Sequence, residues 1–236
     1  MKKGFVVPGI TAICLISCSL SQINPFKRVI DHPQPEIVVD NSFFQNLGCF
    51  ESTDCLPEAI KNNPYAIESI YPVTDLYGGL NPAYPVAIAN SVRFAGEEEV
   101  PAVFKDKCMG TFYNRYLVMI DEMRLIESVE QLKELYAPIE NEDEALSFAI
   151  AVTGYSALYD LNGKLTYKFY QNPLEESYSR LDGNQFTVHL FNDFLCGCSP
   201  HIVQSIDVTV SQEGEFSLAE PVDAFSDRLN DGMCID

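Results

Sequence analysis

The clearest patterning lies in the second half of the chain, where apolar and polar positions alternate with period two. In "KLTYKFY" Leu165, Tyr167 and Phe169 share a face; in "QFTVHLF" Phe186, Val188 and Leu190 do; in "SIDVTVSQ" Ile206, Val208 and Val210 do. The connections "DLNG", "LDGN" and "QEGE" are turn chemistry, so these strands are joined by short links and pair antiparallel. Just upstream, "TFYNRYLVMID" is β-prone and, with "DEM" and "RLIES", reads as a hairpin.

Two segments between hairpin and meander follow the helical period instead. "SVEQLKELYAP" opens on a Ser128–Gln131 capping pair, puts Val129, Leu132, Leu135 and Tyr136 on one face, and stops at Pro138. "NEDEALSFAIAVTG" takes Asn141 as N-cap and Glu144 three residues on, and ends at Gly154; its acids face the positive end of the helix dipole. Helices followed by a meander with one apolar face per strand predict an α+β domain over 111–236, an antiparallel sheet with about two helices packed on one face. The element order is similar to that of small cystatin-like or PepSY-like modules of exported proteins, a likeness of layout that implies no activity.

Before this core the periodicities fade. Residues 42–110 form a loop-rich N-terminal segment whose prolines, Gly78–Gly79 and tyrosines predict turns and short strands wrapped on the core. The tyrosines between 65 and 84 are read as core-completing, with a binding surface as the alternative. Residues 18–41 hold three prolines and no sustained period, which predicts a flexible tether with His32 as a solvated position.

The first residues, "MKKGFVVPGITAICLISC", combine a basic start with an apolar run of about a dozen residues, too short to span a bilayer. They read as a signal peptide, 1–17, rather than as structure. Its end, Leu15-Ile16-Ser17-Cys18, resembles the lipobox of bacterial lipoproteins. That resemblance implies a Cys18 lipidated on its thiol and exposed as the mature N-terminus, with Cys14 lost. It implies a palmitate-type acyl anchor on the exported side of the cell envelope. Ser19 in place of Asp implies the outer membrane where an organism has one.

Composition adjusts this picture in two ways. The chain carries 15 Lys+Arg against 34 Asp+Glu, and loss of residues 1–17 leaves 13 against 34, a net charge of −21. Such a surface repels phosphate backbones and anionic headgroups, so nucleic acid and peripheral lipid binding are disfavoured; the charge is read as keeping an exported chain in solution, with a cationic partner or Ca²⁺ as the alternative. Setting aside Cys14 and Cys18, six cysteines remain: Cys49, Cys55, Cys108, Cys196, Cys198 and Cys234. An even count in an exported chain predicts three disulfides and leaves all 15 connectivities open; a small Cys49–Cys55 loop and a Cys234 staple at the C-terminus are two of the options.

Catalytic and metal patterns find little support. Cys196, Cys198 and His201 in "FLCGCSPH" are the only candidate soft-metal ligands, and disulfides are the preferred use of the two sulfurs. His189 lies opposite Val188 and Leu190, as an exposed strand position. "GYSAL" around Ser156 lacks the last glycine of a nucleophile elbow, "ENEDE" is explained by the helix start, "GEEEV" by solvation, and "DLNGK" lacks the closing glutamate of a calcium loop. No cofactor fingerprint is present. The expectation is therefore a membrane-anchored envelope lipoprotein with a non-catalytic domain that is structural or binds a protein or small molecule. The alternatives are an exported hydrolase-like enzyme with an unrecognised site and a metal-handling lipoprotein.

Overall fold

The computed structural model describes residues 29–198, 200–230 and 233–235. The signal peptide, the lipobox and Cys18 lie outside them. Among the described residues no helix is long and apolar enough to cross a membrane.

Strand β1 (Val29–Ile30) is followed by the short helices α1 (Ser42–Asn46) and α2 (Glu58–Lys61). A first sheet then forms from β2 (Ser69–Pro72), β3 (Val86–Arg93), β4 (Phe104–Lys107), β5 (Thr111–Met119) and β6 (Met123–Ile126). Its order is β2-β3-β5-β4, with β6 also on β5, antiparallel throughout. Helices α3 (Val129–Tyr136) and α4 (Glu142–Thr153) come next. The remaining strands are β7 (Tyr167–Phe169), β8 (Leu174–Glu175), β9 (Tyr178–Asp182), β10 (Gln185–Asn192), β11 (Gly197–Cys198), β12 (Ile202–Ser211), β13 (Phe216–Leu218), β14 (Val222–Asp227) and β15 (Cys234–Ile235). A second antiparallel sheet runs β7-β14-β12-β10-β9, with β13 on β12.

The α+β class, the antiparallel pairing and three disulfides are present, but the expected single sheet is two. Helix α4 explains why. Both helix caps form as the sequence implies: Ser128 Oγ accepts from Gln131 N and Asn141 Oδ1 from Glu144 N. Yet every residue of α4 from Glu144 to Val152 is buried, and a helix apolar all round must be covered all round. Tyr116 of β5 donates to the Ala151 carbonyl at 2.8 Å, while Phe186, Val188 and Val208 join α4 in the same core from the second sheet. Gly154 stops the helix at φ 72°, and a Cβ there would also strike the Phe104 ring.

The sheets differ on their outer faces. The first is closed by Phe44, Leu56 and Ile60 around the Cys49–Cys55 disulfide. Residues 42–110 are thus more than a loop-rich wrap, since they supply three strands of a sheet. The second is covered by Leu161, Leu174 and Val29, which pack on Phe191 and Phe225.

Val29 belongs to the segment expected to be a tether, and from there on the chain is fastened. Strand β1 pairs parallel with β8, the His32 amide donates to Glu176 Oε2 at 3.2 Å, and Asn41 Nδ2 donates to the Val73 carbonyl at 2.9 Å. Gly78 lies so close under Val38 that a side chain would meet the Val38 backbone. Residues 29–41 are a strap from one sheet to the other. The other two disulfides, Cys108–Cys196 and Cys198–Cys234, tie β4's end to the loop after β10 and β11 to β15.

Candidate binding site on the outer face of the second sheet

Alternation along β9, β10 and β12 builds one row of side chains on the outer face. Val188, Leu190, Ile206 and Val208 enter the core, so His189 and Asp207 between them must point away from it. Register then sets His189 opposite Tyr178 on one side and Asp207 on the other. His189 Nδ1 lies 2.6 Å from Asp207 Oδ1. Because the carboxylate accepts, Nδ1 carries a proton. The other ring nitrogen, Nε2, is buried with no hydrogen-bond partner.

The imidazole stacks parallel to Tyr178 at 5.4 Å and meets Phe191 edge-on. The hydrogen bond from His189 holds the Asp207 carboxyl below the usual carboxylate range, with the Arg180 charge helping. Arg180 also caps the Tyr178 ring at 5.2 Å. The exposed position expected for His189 is only 9 % accessible, because Tyr178 and the covering cluster close over it.

The strap completes the row. The His32 ring sits 4.7 Å from Tyr178, and its Nε2 is likewise buried without a partner, so it is not the solvated linker residue expected. Between strap, the start of α4 and β9 lies a cavity of about 350 Å³ lined by His32, Glu142, Asp143, Tyr159, Tyr178 and Ser179, among others. Burial pushes the Tyr159 phenol up to about 12, with the charges of Asp143 and Glu176 adding to the effect. Ser179 Oγ is a third buried atom without a partner. The lining has two carboxylates and two tyrosines and neither lysine nor arginine, a surface suited to a positively charged ligand.

A second cavity of about 300 Å³ lies at the far end of α4, mostly apolar, between Leu76, Tyr77, Phe104, Ile150 and Tyr155. Asp106 influences it through Tyr155, whose phenol it raises in addition to burial. Burial pushes the Asp106 carboxyl up to about 6, against the hydrogen bond from Asn114 and with the Asp193 charge adding. Ser156 donates to Asp193 Oδ1 at 2.7 Å, so its hydroxyl serves a carboxylate rather than an imidazole.

The metal candidates separate. Cys196 is bonded to Cys108 and Cys198 to Cys234, while His201 Nε2 closes its own loop on the Gly197 carbonyl at 3.0 Å. Among the described residues, no group of three His, Cys, Asp or Glu could hold a metal ion.

No protein-family model matches the chain, no curated protein matches it, and no solved structure matches it. The site therefore stands on its own geometry.

Sequence reasoning missed Tyr159, Tyr178, Ser179 and Asp207. Asp207 carried a usable signal, since it alternates outward between Ile206 and Val208 as His189 does between Val188 and Leu190. Their being opposite each other needed the register. Of the tyrosines between 65 and 84, Tyr77 is core, its hydroxyl 2.9 Å from that of Tyr116, while Tyr71 is 52 % exposed.

Proposed function

We propose that the chain is a lipid-anchored protein of the bacterial cell envelope whose exported body binds a ligand without catalysis. The observation that carries the reading is the use of all six cysteines after Cys18 in disulfides, the state of a domain held in an oxidising compartment. The lipobox-like end of the leading segment supplies the anchor, attached at Cys18, on the outer membrane in an organism with two membranes.

Binding is preferred to hydrolysis because no hydroxyl is bonded to the buried Nε2 of His189, the imidazole nearest a carboxylate, and Ser156 is held by Asp193. Metal handling is set aside because its two sulfurs are already bonded. The His32–Tyr159–Tyr178 cavity is the ligand site of this reading, and its carboxylates and aromatic rings favour a small organic cation.

The test is the intact mass of the native protein extracted from its own membrane, with free thiols blocked and no reductant. The expected mass is Cys18–Asp236 plus acyl groups, with no thiol blocked. A mass without lipid overturns the anchor. Blocked thiols at Cys196 and Cys198 would overturn the disulfide assignment and restore metal binding.

A further inference from the structure

We propose that two adjoining loops at the β7 edge of the second sheet form a tip that rests on an anionic bilayer surface. The proposal rests on the lipid-anchored reading, which brings that bilayer within reach. The loops are Lys164–Thr166, before β7, and Arg228–Leu229, after β14. They touch directly: the Arg228 amide donates to the Thr166 carbonyl at 3.1 Å, and Tyr167 pairs with Asp227 where the two strands meet.

Each loop offers a cation next to an exposed leucine. Leu165 is 94 % exposed and Leu229 70 %, the first of these the most exposed large apolar residue described. Leu165 continues the period-two pattern that Tyr167 and Phe169 follow, so alternation would have placed it with them. It lies instead in the turn ahead of β7, stripped of neighbours. Lys168 stands beside them with its ammonium 4.7 Å above the exposed Tyr170 ring. An apolar point ringed by cations and an aromatic is the composition that settles at the headgroup boundary.

Charge argues for the same occupant. The whole chain is strongly acidic, with 15 cations against 34 acids. Over 160–170 and 226–231 the excess of acids disappears, with Lys164, Lys168 and Arg228 against Asp160, Asp227 and Asp231, and Asp227 already accepts the Leu229 amide at 3.0 Å. At physiological salt, charges more than ~8 Å from a surface are largely screened, so the residues nearest the bilayer decide which side faces it. The acidic remainder is repelled and this tip is not.

Chain length points there as well. The strap is fastened from Val29, which packs in one cluster with Leu161 and Tyr167, the residues flanking the Leu165 loop. Only eleven residue steps separate Val29 from Cys18, a reach of at most roughly 40 Å fully extended. The anchor therefore pulls on the side of the body that carries the tip. The tether supplies the attachment; the tip supplies the orientation.

The chain contains no tryptophan, so Leu165→Trp places a single emitter on the tip. Leu165 has almost no packing to lose, and Leu47→Trp, exposed beside the helix that covers the first sheet, is the control. Both full-length proteins are reconstituted into phosphatidylglycerol vesicles with brominated acyl chains. The expected result is a shift of the tip emission to shorter wavelength with roughly twofold quenching, none for the control, and loss of both effects in Lys164→Glu/Lys168→Glu/Arg228→Glu. Tip emission equal to the control overturns the proposal. So does a shift without vesicles that grows with protein concentration, which would assign the tip to self-association.

The mass measurement keeps the two readings apart. Acyl groups with an unshifted tip leave the anchor and remove the docking. A protein found without lipid is mixed with the same vesicles: a quenched tip then upholds the docking alone, and an unquenched one overturns both.

Discussion

The two sheets each give one face to α4, yet their outer faces are finished in opposite ways. The first sheet seals a full charge inside. Arg115 is entirely buried, and its guanidinium donates to the Tyr65 carbonyl at 3.0 Å, to Glu127 Oε1 at 3.2 Å and to Ser91 Oγ. The second sheet is covered only as far as the row Tyr178–His189–Asp207. One position further along, Arg180, Thr187 and Thr209 meet solvent at least in part. Two buried polar atoms without partners, on His32 and His189, lie at this border, and a third, on Ser179, lies on the α4 side of β9. On the first sheet one such atom remains, Arg115 Nε, enclosed with the rest of its guanidinium. A face that stops short and leaves polar atoms waiting is where a ligand has something to offer.

The largest test of this contrast is Arg115→Met. It leaves Ser91 and the Tyr65 carbonyl without their donor and should cost about 3 kcal/mol, because buried acceptors left unpaired are not repaid by water, whereas Glu127 is a quarter exposed and keeps Asn63. Urea unfolding under non-reducing conditions reads the change. A loss below that of the next variant would reverse the ranking of the two faces. Val29→Ala removes most of a fully buried side chain from the strap and should cost about 2 kcal/mol. Here hydrogen exchange is the sharper readout: the Glu176 amide, bonded to the Ile30 carbonyl, should lose protection while β3 and β5 keep theirs. Loss spread evenly over both sheets would mean that the strap holds the whole body and not one face.

The smallest effect lies where the two halves meet, near the Cys108–Cys196 disulfide. Asp106 has a folded pKa of about 6, above its ordinary value, so the folded state prefers it protonated. Its contribution is favourable below the ordinary carboxylate range and is lost as pH rises through about 6. Asp106→Asn should therefore flatten the decline in stability between pH 4 and pH 7. A melting series over that range checks it, and an unchanged slope would place the titration elsewhere.

Much of the architecture was legible because its cause is local. Caps at Ser128 and Asn141, the stop at Gly154 and the alternation of β10 and β12 depend on neighbours a few residues away. The apolar residues of α4 were legible too, but not their consequence. Continuous burial from Glu144 to Val152 demands a second covering layer, and the loop-rich reading of residues 42–110 concealed the strands that provide it. The candidate site was harder still. His189 could be placed on the outer face, but Tyr178, Asp207 and His32 reach it from β9, β12 and the strap, and no periodicity in one segment records the register of another.

The sequence alone determined the α+β class, the antiparallel pairing, both helix boundaries and an even set of cysteines, since each follows from hydrophobic period, capping or redox chemistry along the chain. The tertiary structure decided the rest. It split the sheet in two around α4, turned residues 29–41 from a tether into a strap, closed His189 under Tyr178 and left Leu165 in the open. Burial is a property of what comes to lie on top of a residue, and what lies on top of these comes from distant parts of the chain.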